Sequence, residues 1–266
     1  MNYSVLLAQS GLERFDAQVL FQHATGKNRA WLIGHGQDEV EAAHAAAFKL
    51  LAARRSKGEP VAYIVGTREF FGRDFVVNPS VLIPRPDTEL LVELALERAA
   101  EGAMVLDLGT GSGCIPVSIK LERPDLDVSA VDLSPAALLV AQANASRLDA
   151  AVRFYQSDWY QALGTAHFDV IVSNPPYIEQ NDHHLSQGDL RFEPRSALSD
   201  EGDGLVHIRS IIAEARLHLN EDGWLLLEHG WDQAEPCRAL LAAAGFAAVQ
   251  SWRDLAGIER VSGGQL

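Results

Sequence analysis

Cysteine is nearly absent from this chain. The 266 residues hold two, Cys114 and Cys237, far apart and in no metal-ligand spacing, which argues against a disulfide framework and against a zinc site. Long apolar runs are missing too. No stretch approaches the roughly 18 apolar residues that a membrane span needs. Met1–Leu20 has no basic start followed by an apolar core, so no signal peptide is read there. Basic charge is the third shortage: 22 Lys and Arg stand against 36 Asp and Glu, for a formal net charge of −14. Such a chain has little with which to build a basic face against phosphates, so a free-standing nucleic-acid binder is disfavoured. A basic protein partner stays compatible, although acidity by itself needs no explanation beyond solubility. The expected setting is a soluble, reduced, cytoplasmic protein, with neither membrane nor nucleic acid as a direct partner.

What is present is a large apolar share, 47%, enough for one large domain or two unequal ones. The chain changes character near Gly66. Before it, everything reads as helix. Phe15, Val19, Leu20 and His23–Ala24 fall at helical intervals, and Gly26 stops that helix. A second, alanine-rich helix has Val40, Ala43, Ala47, Leu50 and Leu51 on one stripe, acids in its first turn and Arg54, Arg55 and Lys57 in its last, with Gly58 closing it. Residues 1–66 are therefore expected to form a small helical domain. It holds no chemistry-bearing motif, so docking of a protein substrate is its expected role. Residues 67–87 contain the turn signals Gly72 and Asn78-Pro79-Ser80 between β-rich pieces and read as a β-hairpin linker. Asp87 or Thr88 is read as the cap of the following helix, "ELLVELALERAA".

Residues 88–266 alternate strand and helix signals. "MVLDLG", "DVSAVDL", "VRFYQ", "FDVIVSN" and "GWLLLEHG" read as strands, with helices between most of them, and two further β-like pieces end the chain. Near-continuous apolar strands alternating with helices predict an α/β fold: a mostly parallel, Rossmann-like sheet covered on both faces, with an antiparallel strand at one edge.

Two stretches carry chemistry. "VLDLGTGSGCI" (Val105–Ile115) places Gly109, Gly111 and Gly113 between the first strand and the first helix of the sheet, with Thr110 and Ser112 interleaved. Glycine allows a sharp turn and close approach of a ligand to the backbone. The second strand ends on Asp132, placed to accept from ribose hydroxyls. The spacing is G-x-G-x-G rather than the dinucleotide G-x-G-x-x-G, and the nearby Asp107 suits a cationic ligand better than a pyrophosphate. Both features point to S-adenosylmethionine. Beyond the third strand, Asp158 could accept from an adenine amino group and Trp159 could wall the ring, although a plain surface turn explains them equally well.

The second stretch is "NPPY", Asn174, Pro175, Pro176 and Tyr177, where the fourth strand leaves the sheet. A strand-ending Pro-Pro turn explains the prolines but not the flanking Asn and Tyr. A planar –NH2 group has a delocalised, poorly nucleophilic lone pair. Holding its two hydrogens on the Asn174 carboxamide oxygen and the Pro175 carbonyl would fix its plane, with the prolines stiffening the acceptors. Tyr177 could stack on the planar group.

These motifs, with "GEPVAYIVGTREFFG", "LIPRPDTELLVE", "GDLRFEPRSAL" and "LLLEHGW", make nearly the whole chain similar to the release-factor glutamine N5-methyltransferase family. The resemblance implies a class I S-adenosylmethionine-dependent fold. It implies methyl transfer to the glutamine of the Gly-Gly-Gln loop in class I peptide chain release factors, a translation-termination function, with S-adenosyl-L-homocysteine as product. Carried over by motif, Gly109–Gly113, Asp132, Asp158, Trp159 and Asn174 would contact the cofactor, and Asn174, Pro175, Pro176 and Tyr177 would hold the glutamine. Two competitors remain: a nucleic-acid adenine-N6 methyltransferase and a non-catalytic binding protein of the same fold. Residues 181–204 read as a long loop of the kind that forms lids. Within it, His183 and His184 are read as diverging without a third ligand, hence no metal, and Arg191 is expected to interact with Glu193.

Overall fold

The structure is a computed structural model that describes all 266 residues. The chain divides into two compact units, Met1–Thr67 with Gln187–Phe192, and Arg68–Ser186 with Glu193–Leu266.

The first unit has five helices: α1 (Tyr3–Ala8), α2 (Arg14–Thr25), α3 (Arg29–His35), α4 (Ala42–Arg55) and α5 (Val61–Val65). The stripes expected from the sequence are displaced. Phe15 and Leu50 are 67% and 69% exposed. Of the expected positions Leu20 is buried and Val40 and Leu51 pack against the core, but the buried faces centre on Ala17 and Phe21 of α2 and on Phe48 and Ala52 of α4. Alanine gives almost no directional signal, so in an alanine-rich helix the aromatic residue decides which face turns inward. No acid lies in the first turn of α4, because the helix begins at Ala42 with Glu41 as its cap. Gly26 does end α2, in the left-handed region at φ 69°. Arg55 pairs with Asp16 and Asp189, both at 2.7 Å, which fastens residues 187–192 to the helices.

From the unit boundary at Thr67 onward come the hairpin β1 (Thr67–Phe70) and β2 (Arg73–Val76), followed by α6 (Glu89–Arg98), β3 (Met104–Leu108), α7 (Cys114–Glu122), β4 (Asp127–Asp132), α8 (Pro135–Arg147) and β5 (Arg153–Gln156). After these come β6 (Phe168–Ser173), α9 (Val206–Ala215), β7 (Leu219–Glu228), α10 (Ala234–Ala243), β8 (Ala247–Arg253) and β9 (Glu259–Gln265). Seven strands form one sheet in the order β5-β4-β3-β6-β7-β9-β8. All pairings from β5 to β7 are parallel. The antiparallel strand is β9, one place in from the edge, because β8 pairs on its outer side.

Alternate residues of the central strands go to opposite faces, as the pleat requires. Val105, Val170, Val172 and Leu226 pack with Leu91 and Val92 of α6 and Val117 of α7. Leu106, Leu108, Ile171, Leu225 and Leu227 pack with Ile208 and Ile211 of α9 and Leu241 of α10. Both faces are therefore covered. Chain order runs outward from β3 through β4 to β5 on one side, and from β6 to β7 on the other. The switch point lies between β3 and β6, where a crevice forms beyond the strand ends.

Thr88 does not cap α6; its side chain makes no cap hydrogen bond, and a short 3-10 turn over Pro86–Thr88 leads into the helix instead. The 181–204 segment contains short 3-10 turns at His183–Ser186, Leu190–Phe192 and Arg195–Ala197. Arg191 and Glu193 are not partners. Arg191 lies over the Phe192 ring at 5.0 Å, whereas the fully buried carboxylate of Glu193 pairs with Arg85 and accepts from the Ile83 N–H at 2.9 Å. A backbone turn between Arg191 and Glu193 thus sends the two side chains to different neighbours.

Candidate active site

A cavity of about 290 Å³ opens at the switch point, lined by the glycine loop after β3, by Asp132 after β4, by Asp158 and Trp159 after β5, and by Asn174 and Pro176 after β6. The sequence predicted these four strand ends from separate motifs, and the fold brings them to one space.

The glycine loop turns where side chains would obstruct it. Gly109 has φ 76°, and a Cβ there would stand 3.5 Å from the Trp159 ring. Gly113 has φ 78°, and its Cβ would meet the backbone and Cβ of Ala141 in α8 at 3.0–3.1 Å. The left-handed backbone favours glycine at both positions, and at Gly113 the close approach to the helix adds to it, whereas at Gly109 the indole lies at ordinary contact distance. Asn144 of α8 braces the loop from below, donating to the Ser112 carbonyl at 2.9 Å. The same side chain donates to Val76 O at 2.9 Å and accepts from Val76 N–H at 2.7 Å, tying the hairpin to the glycine loop.

Asp132 accepts from the Gly111 N–H and the Ser134 N–H, each at 2.8 Å. Burial raises its pKa and these two bonds oppose the rise. Each oxygen keeps a lone pair for a ribose hydroxyl. Asp107 lies on β3 just before the glycine loop and is fully buried, and neither of its oxygens has a hydrogen-bond partner. Burial pushes its carboxyl up to about 7, and the nearby Thr110 hydroxyl opposes this only in part. An orphaned buried carboxylate under a glycine loop calls for a donor or a cation from outside the chain. A ligand with ammonium, sulfonium, ribose and adenine groups answers that need, so the residues present fit S-adenosylmethionine. Asp158 is exposed, and the Trp159 ring lies 5.2 Å from that of His207.

At the opposite wall, Ser173 donates to Leu108 O at 2.7 Å and locks the ends of β6 and β3 together. Asn174 follows, and its Nδ2 donates to Thr88 Oγ1 at 3.1 Å. Pro175 is buried and does not line the cavity. Tyr177 departs from its expected stacking position. Its ring packs against the core, and its hydroxyl donates to Glu228 Oε1 at 3.3 Å. The ring is held there because Glu228 is buried at the end of the neighbouring strand and needs a donor.

Sequence reasoning missed several lining residues: Val81, Leu82, Pro84, Arg85, Thr88 and His207. Thr88 was visible only as a cap candidate. The others lie in segments that read as linker or helix and reach the cavity only through the fold. The histidine reading also needs correction. His183 and His184 lie side by side, ring centroids 3.9 Å apart, with Asp182 Oδ1 2.7 Å from His184 Nδ1. The 3-10 turn puts both rings on one side. They are exposed, and the aspartate is the hydrogen-bond partner of His184, with His183 Nδ1 farther off at 3.6 Å.

Residues 86–206 match the family model of the methyltransferase small domain, and residues 2–66 match that of the PrmC N-terminal domain. A release factor glutamine methyltransferase of Bordetella pertussis is 56% identical over 98% of this chain and 98% of its own length. The protein of that name from Escherichia coli K12 is 44% identical over 97% of this chain and 94% of its own. A methyltransferase structure from Pyrococcus furiosus shares the fold with a TM-score of 0.57 at 20% identity, covering 80% of this chain and 95% of that one. The sheet is that of the class I methyltransferases, as expected. The chain belongs to the release factor glutamine methyltransferase family.

Proposed function

We infer that this protein is an S-adenosylmethionine-dependent protein-glutamine N5-methyltransferase. Its substrate is the side-chain amide of the glutamine in the Gly-Gly-Gln loop of class I peptide chain release factors. The observation that carries the site reading is Asn174, fixed by a side-chain hydrogen bond at the wall of the cavity whose other wall is the glycine loop.

The residues that would hold the cofactor are Gly109–Gly113, Asp107 and Asp132 on one side and Asp158 and Trp159 on the other. The cofactor supplies an electrophilic methyl group on a sulfonium. The chain's task is to make an amide nitrogen a usable nucleophile. Amide resonance spreads the nitrogen lone pair onto the carbonyl, and rotation or pyramidalisation at nitrogen recovers it. Asn174 Oδ1 accepts one amide hydrogen and holds the group in the orientation that exposes the lone pair. The buried Pro175 and the Ser173 bond to β3 keep that acceptor from moving. After transfer, the protonated amide is strongly acidic and gives its proton to solvent, so no buried base is required.

The helical unit is proposed to dock the release factor, and the cytoplasm, where translation occurs, is the proposed setting. The nucleic-acid alternative is disfavoured by the net charge of −14. The test is a methylation assay on a purified release factor, on the same factor with its Gly-Gly-Gln glutamine replaced, and on duplex DNA. Incorporation into the first alone supports the function; incorporation into DNA alone overturns it.

A further inference from the structure

Asn174 can act as an acceptor only if its carboxamide faces the cavity oxygen-first. The two ends of a carboxamide are nearly the same in shape, so packing alone does not choose between Oδ1 and Nδ2. A chain of hydrogen bonds behind Asn174 makes the choice. Ser173 pairs in register with Leu227, which places Asn174 and Glu228 side by side at the ends of β6 and β7. Thr88 is buried, with 2% exposure, and its Oγ1 accepts from Asn174 Nδ2 at 3.1 Å. Glu228 is also buried, at 2%. Its Oε1 accepts from the Tyr177 hydroxyl at 3.3 Å, and its Oε2 is buried without a hydrogen-bond partner, an acceptor left open; the Thr88 hydroxyl is among the groups that lower its pKa.

The observed bond from Asn174 Nδ2 to Thr88 sets the polarity, and a proton count gives Glu228 its part in it. An ionised carboxylate has only acceptors to offer. Thr88 has one hydroxyl proton, and the acceptor assigned to it by inference is the open Oε2 of Glu228. Lone pairs are then all that Thr88 can present to Asn174. Asn174 must answer with N–H, which leaves Oδ1 for the cavity. Thr88 also stands at the N-cap position of α6 without capping it, so its hydroxyl is free for this task.

We propose that Thr88 and Glu228 are positioning residues that hold the Asn174 carboxamide oxygen-first toward the substrate amide; this rests on the function proposed above. The charged and titratable groups that act on Glu228 are Asp87, Arg260, Tyr177 and Cys114. Burial, helped by Asp87, raises the Glu228 carboxyl to about 7, against the opposing effects of Thr88, Tyr177 and Arg260. When Glu228 is protonated it can itself donate to Thr88. The Thr88 proton is then released to Asn174 Oδ1, and the amide loses its preferred orientation. The relay works with Glu228 ionised and weakens as pH falls through that value.

The experiment measures kcat on a purified release factor at saturating S-adenosylmethionine, across pH, with cofactor affinity measured by calorimetry. T88V should lower kcat roughly 10–100-fold, as for a displaced orienting group, with the cofactor dissociation constant unchanged, and T88S should recover most of the loss. Wild type should lose kcat as pH falls through about 7, and E228Q should have a lower kcat without that limb. Wild-type kcat in T88V, a T88S no better than T88V, or the same acid limb in E228Q would overturn the relay while leaving the methyltransferase function standing. If T88V does not fold, the E228Q pH profile decides alone. Wild-type protein inactive on the release factor would overturn the function, and the relay with it.

Discussion

Asp107 and Asp132 end adjacent strands and are tuned in different ways. Asp132 is satisfied by two backbone N–H groups, whereas Asp107 has none. A cation beside Asp107 would favour its ionised form, so below about pH 7 cofactor binding must expel a proton. Affinity for S-adenosylmethionine should therefore rise as pH increases toward 7, and Asp107→Asn should flatten that dependence. Calorimetry in two buffers of different ionisation enthalpy would count the released protons directly, and equal heats in both would contradict the assignment. In the proposed function Asn174 orients the acceptor amide more than it holds the cofactor. Asn174→Ala should lower kcat roughly 10²–10³-fold and leave cofactor affinity nearly intact. Retention of more than half the wild-type kcat would remove the positioning argument.

Among the elements, α8 does more than cover the sheet. Its buried Asn144 makes three hydrogen bonds, to both backbone groups of Val76 and to Ser112 O. Asn144→Ala leaves those groups unpaired in the interior and should destabilise the protein by about 3 kcal/mol, read from urea unfolding with and without S-adenosylmethionine. A loss within experimental error would show that water replaces the side chain. The last strand, β9, carries Gly263-Gly264-Gln265, the triplet expected in the substrate. Its glycines are closed into the sheet: a Cβ on Gly263 would lie 2.5 Å from the Leu225 carbonyl, and Gln265 Nε2 donates to Asp222 O at 3.0 Å. Ordered backbone between two strands cannot thread an active-site cavity. Gln265 should remain unmethylated when the protein is incubated with the cofactor, and a one-methylene mass gain on the C-terminal peptide would refute this.

For the molecule as a whole, the buried acids set how stability varies with pH. Asp107 and Glu228 have folded pKa values of about 7, above their ordinary 3.8 and 4.5. The folded state therefore holds these protons more tightly than the unfolded state. Their contribution is fully present below the ordinary values and is lost as pH rises through about 7. Without cofactor, the midpoint of thermal unfolding should fall between about pH 5 and pH 7.5, less steeply in Asp107→Asn. A cofactor-free wild type that grows more stable over that interval would show that other groups dominate.

Local chemistry made the larger pattern legible in the sequence. Apolar strands alternating with helices specify a two-sided parallel sheet, and the glycine loop, Asp132 and "NPPY" each mark a strand end by features that need no distant partner. The helical faces of α2 and α4 were less legible, since alanine stripes carry little burial energy and the inward choice fell to Phe21 and Phe48. Tertiary structure alone decided what stands behind the motifs. Thr88 read as a cap and Tyr177 as a stacking ring, yet Thr88 meets the Asn174 carboxamide and Tyr177 turns to Glu228, a residue that in sequence is one acid at the end of an apolar strand. Glu193 likewise passes over its sequence neighbour Arg191 for Arg85, 108 residues away. The sequence determined which groups could do the chemistry, because that depends on residue type and strand-end position. Their orientation depended on which buried donors and acceptors the fold brought within about 3 Å of one another, the range over which a hydrogen bond has its strength.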